Sequence, residues 1–439
     1  MYKKFDGLEI FATPLPDIYP TDGDKYRGYN FISAPLANEF MILDDSALCE
    51  LERAASGETV SPEIAAVMKK LCAENIRPTE RKKEPPQASC LVYLLNQKCN
   101  FSCRYCYSAK GRSTQELDEK AAMGILEEFF RKFAGPKLTI SFGGGGDPLM
   151  SWPLMKKILY RSRELQELYH VVPEYNMTTN GSLFTQEIVD VFKEFAMQVQ
   201  VSFEILPEIQ NLQRGSFDRV AANIDLLISN GIIPSINTVI TPLSVNRQLE
   251  MVKFCRERFP ALPHASFDYV KDFVKDLSMC DNVMTLKKFL AAFYDNFFEA
   301  KKYAAENGFR LSSPLEKIVH SCKPYNCHGN VAVTASGKIT ACPLVSSPQQ
   351  DFINEFTIGS LDENGNMHIF PENWEKWCSW DWTKYPQCAS CPVKWNCGGG
   401  CPLENLLFPA EFKEVICEFH RTFTARRLIA EKNLVEQVK

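Results

Sequence analysis

The sequence predicts an α/β fold in three parts: a winged-helix-like N-terminal module, a partial (β/α)6 TIM-like barrel, and a loop-rich C-terminal segment dense in cysteine. Three observations carry this. Short apolar runs alternate with helical patterns from Leu91 to Val270. A charged stretch, Thr79 to Pro86, ends in two prolines and separates that region from a smaller one before it. After Ser321 the periodicity gives way to glycines, prolines, tryptophans and cysteines.

In the first part, residues 1–80, strand-like runs at Leu8 to Thr13, Tyr29 to Ser33 and Glu39 to Leu43 precede a helix over Ser46 to Ala55 that stops at Gly57. A second helix starts with Ser61 as N-cap and Pro62 at its first position. It places Ile64, Val67, Met68 and Leu71 on one face. In the second part, residues 88–315, strands are expected at Leu91 to Leu95, Leu138 to Phe142, Tyr175 to Thr178, Val199 to Phe203, Pro234 to Ile240 and Ala265 to Val270, all read as buried. Helical patterns at Glu119 to Phe133, Pro153 to Leu168, Thr185 to Phe195, Phe217 to Asn230 and Val245 to Arg258 separate them. Strand and crossover helix in alternation make a parallel sheet. Eight-fold closure is not supported.

The formal charge of −5 over 439 residues gives no basic excess of the kind that holds nucleic acid, so none is expected as a partner. No run approaches the roughly 18 apolar residues of a membrane span, and Met1 to Asp6 lacks the apolar core of a secretory signal. No membrane association and a cytoplasmic location are expected. Seventeen cysteines in such a chain point to metal rather than disulfides. They fall mainly at 99–106 and after Cys322, which implies two metal-binding regions.

Cys99, Cys103 and Cys106 follow the first barrel strand with the spacing C-x3-C-x2-C. Three thiolates on one tight loop can each take one iron of a cubane and leave the fourth iron open. Half of a zinc site is the competing reading of the same spacing. With Tyr105 before the third cysteine, the loop resembles the signature of the radical S-adenosylmethionine (SAM) superfamily. The resemblance implies that the open iron chelates SAM, which electron transfer cleaves to a 5′-deoxyadenosyl radical, and that Tyr105 lies against the adenine.

Downstream motifs extend it. Gly145-Gly146-Asp147-Pro148 resembles the family's GGEP turn, with Asp147 where glutamate is usual. Asn180 of Thr179-Asn180-Gly181, Ser202 and Arg214 stand where relatives contact the SAM ribose and carboxylate. The fourth-strand Ser-x-Asp-Gly of relatives is Ser202-Phe203-Glu204-Ile205 here, so little carries over to Glu204.

From Cys327 the chain reads C-x9-G-x4-C, then Cys388-x2-Cys391-x5-Cys397-x3-Cys401 and Cys417. These spacings resemble the seven-cysteine SPASM domain, placed at residues 316–425 and followed by a C-terminal helix or tail at 426–439. The resemblance implies two auxiliary [4Fe–4S] clusters, the first on Cys322, Cys327, Cys342 and Cys401, the second on Cys388, Cys391, Cys397 and Cys417. With the SAM-binding cluster this makes three. Zinc ribbons remain the alternative for this segment. Cys49, Cys72, Cys90, Cys255, Cys280 and Cys378 are left over, several on apolar helical faces that suggest simple burial. The six histidines form no metal-ligand spacing, although His320 and His328 flank auxiliary-cluster cysteines.

Radical SAM/SPASM proteins act mostly on peptides or proteins, and a reductant such as flavodoxin or ferredoxin is implied. In sulfatase maturases an aspartate follows the Gly-x4-Cys cysteine and acts as base; Pro343 stands there. That favours the alternative, a maturase of ribosomally made peptides that introduces a thioether or carbon–carbon cross-link. Such enzymes often carry a PqqD-like element that adds the precursor's leader as a strand to a sheet edge, and residues 1–80 resemble one in texture. A third reading is a zinc- or cluster-stabilised binding protein without turnover. Three clusters predict about twelve irons per chain after anaerobic purification. Four irons, or zinc in their place, rejects the auxiliary assignment.

Overall fold

A β-strand with apolar side chains on one side needs cover on that side only, and this rule organises both units of the chain. The computed structural model describes residues 2–81, 83–84, 89–133, 135–271, 282–316 and 322–437. Pro85 and Pro86 of the expected linker, Cys280 and His320 lie outside the described residues. One unit comprises Met1–Lys82, Pro314–His328 and Ser379–Lys439; the other comprises Lys83–Ser313 and Gly329–Cys378.

In the first unit, β1 (Lys3–Lys4), β2 (Phe11–Pro14), β3 (Tyr29–Ala34) and β4 (Glu39–Asp44) form an antiparallel sheet in that order. Helix Asp45–Ala55 is capped by Asp44, which accepts from Ala47 N at 2.8 Å. Helix Pro62–Leu71 is capped by Ser61 with Pro62 at its first position, as its sequence requires. Ile10, Ile32, Leu51, Ile64 and Leu71 make the core between these elements. Elsewhere on the sheet Phe31 stacks on Phe40 at 6.3 Å, and the Lys432 ammonium lies 5.3 Å from the Phe40 ring. Arg426, on helix Ala410–Glu431, donates to Ile18 O at 2.8 Å.

A second clasp joins the start of the chain to the cysteine-rich segment. Glu9 Oε1 accepts from Lys4 Nζ and Lys394 Nζ, both at 2.8 Å, and Oε2 accepts from Trp395 Nε1 at 2.9 Å. The Lys394 side chain is 4% exposed, so its charge depends on that carboxylate. Residues 1–82 thus share one unit with most of the C-terminal cysteines, while residues 329–378 belong to the other unit. The division differs from the segmentation expected from the sequence, which places 1–80 apart and 316–425 together.

In the second unit an eleven-stranded sheet runs β11-β10-β9-β8-β7-β6-β5-β12-β13-β14-β15. Its strands are β5 (Cys90–Leu94), β6 (Thr139–Phe142), β7 (Glu174–Thr179), β8 (Gln198–Ser202), β9 (Ser235–Ile240), β10 (His264–Tyr269), β11 (Arg310–Ser312), β12 (Val331–Thr334), β13 (Lys338–Thr340), β14 (Thr357–Leu361) and β15 (Met367–Ile369). Strands β5 to β11 are mutually parallel in consecutive order, the order that helical crossovers produce. β12 pairs parallel to β5, and β13 to β15 continue antiparallel.

The six expected strands and five expected helices all form, with ends shifted by up to three residues. The sheet also has a seventh parallel strand, β11, reached through helix Val283–Glu306, and four short strands where the sequence suggests loops. The strands themselves differ from expectation. Ile140, Phe142, Tyr175, Met177, Val199, Val201 and Phe267 are buried, but the alternate residues are polar and partly exposed: Ser141, Asn176, Thr178, Ser202, Asn237 and Asp268. From β6 to β10 one face is a hydrophobic core and the other is largely polar, whereas at β5 and β12 Val92, Leu94 and Ala332 form a small apolar cluster on that second face. No helix among the described residues is long and apolar enough to cross a membrane.

Helix Glu119–Lys132 carries Gly124 in its interior, a residue that costs about 1 kcal/mol relative to alanine. Close packing is the reason, because an added Cβ would lie 1.9 Å from the Asn364 carbonyl oxygen and 2.8 Å from Gly365 Cα. Gly124→Ala therefore gains helix propensity but forces the backbone of the β14–β15 turn away, at about 1–3 kcal/mol. A lowered melting temperature is expected by thermal denaturation; an unchanged or higher one rejects this packing.

Candidate functional site

The cysteine loop leaves β5, and the glycine turn leaves β6. Because these strands pair in register from Cys90↔Thr139 to Tyr93↔Phe142, the two loops emerge side by side. Their backbones then bond directly: Gly146 N donates to Asn96 O at 2.8 Å and Asp147 N to Lys98 O at 2.7 Å. Asn96 completes the joint through its side chain. Its Nδ2 donates to Asp147 O at 3.0 Å and Ser151 Oγ at 2.7 Å, and its Oδ1 accepts from Lys98 N at 2.9 Å. A Cβ on Gly146 would stand 1.8 Å from Lys98 O, so only glycine fits there.

Asp147 extends the joint to the third loop. Its carboxylate is buried and accepts from Leu149 N at 3.0 Å, Thr179 Oγ1 at 2.8 Å and Asn180 N at 2.7 Å. Burial pushes its pKa up from the ordinary range, and these three donors oppose that. The carboxylate is therefore occupied by the protein, and what this turn offers a ligand is its backbone.

Each thiol of the loop faces its own donor. Asn180 Nδ2 is 3.7 Å from Cys99 Sγ, Arg214 Nη1 is 3.7 Å from Cys103 Sγ, and Arg112 Nη2 is 3.1 Å from Cys106 Sγ. Such donors favour the thiolates that metal binding needs. Burial pushes the Cys103 thiol up, and the Arg214 guanidinium counters it. Among the described residues no three His, Cys, Asp or Glu side chains are grouped to share one metal ion. A cubane asks each thiolate for a different iron.

Below the loop lies a buried ion pair. Arg214 Nε is 2.7 Å from Glu204 Oε1 and 2.6 Å from the Tyr105 hydroxyl oxygen, and the Tyr105 hydroxyl donates to the same carboxylate oxygen. Glu204 is fully buried, its Oε2 accepting from Val239 N at 3.2 Å, and the Arg214 side chain is 9% exposed. Burial pushes the Glu204 carboxyl up; Arg214 and the Tyr105 hydroxyl hold it back. Glu204 therefore anchors two of the expected SAM-site residues from beneath. Ile205 follows it with φ +66°, a rare value for a β-branched residue, and Leu206 N donates back to Glu204 O at 2.7 Å. Such strain persists where the surroundings enforce it, as at ligand sites.

A cavity of about 550 Å³ opens over the three thiols, within the range of small-molecule sites. Tyr105, Gly145, Gly146, Asp147, Asn180, Ser202 and Arg214 all line it; buried Pro148 directly follows them. Thiolates, turn backbone and polar side chains on one concave wall suit an iron–sulfur centre with an amino-acid ligand. Asn96 and Arg112 were not singled out in the sequence and Cys90 was counted among the leftover cysteines, yet Cys90 and Arg112 line the cavity and Asn96 holds its floor. The cavity continues over the polar sheet face along Ser141, Asn176, Thr178, Asn237 and Asp268, and Pro343 borders it.

In the other unit, Cys388, Cys391, Cys397, Cys401 and Cys417 line one small cavity with Lys394 and His420. Burial, then repulsion from neighbouring thiolates, pushes Cys388 up to about 12; burial, opposed by Arg421, pushes Cys417 up to about 11. Thiols so placed ionise only with a cation among them. Cys322 and Cys327 belong to this unit and Cys342 to the one with the eleven-stranded sheet. Cys49 and Cys72 are exposed, against the expectation of burial; Cys255 is buried.

Gly146→Ala displaces the Lys98 carbonyl and with it the cysteine loop, so iron is expected to fall by about four per chain relative to the unaltered protein. Gly143→Ala is the control, since its Cβ would meet Thr178 Cβ at an ordinary 3.6 Å. Equal iron in both variants rejects the role given to this contact.

Residues 93–255 match the Radical SAM superfamily. Over 98% of this chain and 94% of its own length, the radical SAM cyclopropyl synthase TigE of Paramaledivibacter caminithermalis is 20% identical. The cysteine-type anaerobic sulfatase-maturating enzyme of Clostridium novyi is 22% identical over 77% of this chain and 95% of its own. Among solved structures, anSMEcpe with bound AdoMet and Kp18Cys peptide aligns with a TM-score of 0.59 at 17% identity, covering 79% of this chain and 99% of that one. At these identities the structural likeness concerns the fold. With the thiol loop, its three donors and the cavity above it, the match identifies residues 93–255 of this chain as a radical SAM domain.

Proposed function

We propose that the chain is a radical SAM/SPASM peptide maturase that installs an oxidative cross-link in a ribosomally made precursor peptide. The observation that carries this reading is the cavity: it starts at Cys99, Cys103 and Cys106 and continues along a partly exposed sheet face lined by Asn176, Thr178, Asn237 and Asp268. Carboxamides and hydroxyls on this wall can meet the amides of an extended chain, Asn176 with its NH2 group and Asn237 with both a donor group and an acceptor.

A bound cluster and SAM would supply a 5′-deoxyadenosyl radical. The residues of the chain do the remaining work. Asn180, Arg214 and Arg112 hold the thiolates, Asn96 and Asp147 hold the glycine turn, and the polar wall orients the substrate. Forming one new bond between two substrate atoms removes one hydrogen atom to the radical, then one proton and one electron. Cys322, Cys327, Cys342 and Cys401, with Cys388, Cys391, Cys397 and Cys417, would hold the auxiliary clusters fit to take that electron. The similarity to a cyclopropyl synthase over nearly the whole of both chains favours a carbon–carbon bond over a thioether.

Formylglycine formation is the second reading, favoured by the similarity to sulfatase-maturating enzymes. Pro343 counts against it, because it borders the cavity at the position where the resemblance calls for an aspartate and offers no proton acceptor. The N-terminal sheet supports leader capture, with β4 as its terminal strand.

Incubation of the anaerobic protein with SAM, dithionite and a candidate precursor peptide tests the proposal. The expected products are 5′-deoxyadenosine and a peptide lighter by two hydrogens. A leaderless peptide is expected to react on the order of tenfold or more slowly. Absence of 5′-deoxyadenosine rejects the enzyme reading, and an aldehyde in the peptide, trapped by a hydrazine reagent, selects formylglycine formation from cysteine or serine. Equal rates with the leaderless peptide remove residues 1–80 from substrate capture.

A further inference from the structure

Two guanidinium groups reach the thiols of the cysteine loop, and they differ in what balances their charge. Arg214 forms a buried ion pair with Glu204 at 2.7 Å, so that pair adds no net charge to the site. Arg112 bonds only neutral acceptors and sulfur: Nη1 lies 3.3 Å from Gly145 O and Nη2 lies 3.1 Å from Cys106 Sγ. The Asp147 carboxylate is close enough to act on Arg112 through space but makes no ion pair with it, its oxygens accepting from Leu149, Thr179 and Asn180, so it offsets that charge only in part. Arg112 is also held in place by its own backbone. The turn Ala109–Gly111 precedes it, with Gly111 N donating to Ser108 O at 3.0 Å, and a Cβ on Gly111 would stand 2.4 Å from Ser347 Cβ.

We propose that Arg112 is a positioning residue for the centre at Cys99, Cys103 and Cys106: its charge makes that centre easier to reduce, and its fork ties Cys106 to the glycine turn. The inference rests on the reading that these thiols hold an iron–sulfur cluster. A cubane on three thiolates is anionic, and each added electron makes it more so. A fixed cation in a site of low dielectric stabilises the reduced state more than the oxidised one. The forked geometry suits arginine at this position, since its two Nη nitrogens reach Gly145 O and Cys106 Sγ separately, whereas lysine would have to serve both from one nitrogen.

Redox titration of the full-length anaerobic protein tests this, following the EPR signal that responds to added SAM. Arg112→Gln is expected to move the midpoint of that signal to more negative potential, and Arg112→Lys to recover at least half of the shift. If Gln loses the four irons of this site while Lys keeps them, the charge is needed for the cluster to assemble, which also supports the proposal. A Gln variant that titrates with the wild type, equal shifts in both variants, or iron loss in both overturns it. A wild-type protein with no SAM-responsive signal overturns the cluster reading itself, a separate failure that is visible before any variant is made.

Discussion

The contact on which the site depends is a pair of backbone hydrogen bonds, from Gly146 N to Asn96 O and from Asp147 N to Lys98 O. Parallel strands in register deliver two loops side by side, but loops with side chains at the contact could not come this close. Gly146 removes the obstacle. Asp147, the next residue, carries the joint on to Thr179 and Asn180 of the third loop, and Asn180 reaches Cys99. Three loops from three adjacent strands are thus tied into one floor, and the cysteine loop is fixed to it at Asn96, Lys98 and Cys99. Preorganisation of this kind lowers the ordering cost of binding a cofactor.

Charge is arranged around the same floor. Glu204 and Arg214 would each be costly to bury alone, and together they form a unit in which both Glu204 carboxylate oxygens and Arg214 Nε are paired. Tyr105 joins that unit through its hydroxyl, with the Arg214 guanidinium 5.1 Å from its ring. An aromatic side chain in the cysteine loop is thereby fixed by an ion pair on the fourth strand's loop. The tight turn about Ile205 sets the angle at which Glu204 enters the network. Backbone strain there is held by a residue that is itself fully buried.

Much of the site was legible because its chemistry is local. The cysteine spacing and the Gly145 to Pro148 turn are contiguous, and the expected SAM-site residues line one cavity or directly adjoin it. Asn96 and Arg112 were not legible, since an asparagine after a strand and an arginine after a glycine gain meaning only from the loops that tertiary structure brings to them. Glu204 could have been weighted more: a carboxylate two residues after Ser202 in an apolar run must find a partner if buried. In the fold, helix starts followed from caps such as Ser61-Pro62, whereas β11 to β15, three to five residues each, are too short to show a period. The clasp from Glu9 to Lys394 spans 385 positions and leaves no local trace.

Strands read as apolar runs turned out to alternate, and that difference carries functional meaning. A barrel interior that served stability would be filled with branched apolar side chains. Here the wall facing the cavity bears Ser141, Asn176, Thr178, Ser202, Asn237 and Asp268 together with Val92 and Val239, while most apolar residues of β6 to β10 face the other way. Ser141 already bonds Asn176, and Thr178 Oγ1 donates to Gln200 Oε1 at 3.1 Å, so hydroxyls occupy the carbonyl ends of these amides. Their NH2 groups remain for water or a ligand. Covering such a wall without matching its donors would cost about 1–3 kcal/mol per unsatisfied group. The strands β6 to β10 therefore bury one face and leave on the other a row of polar groups beside the thiols.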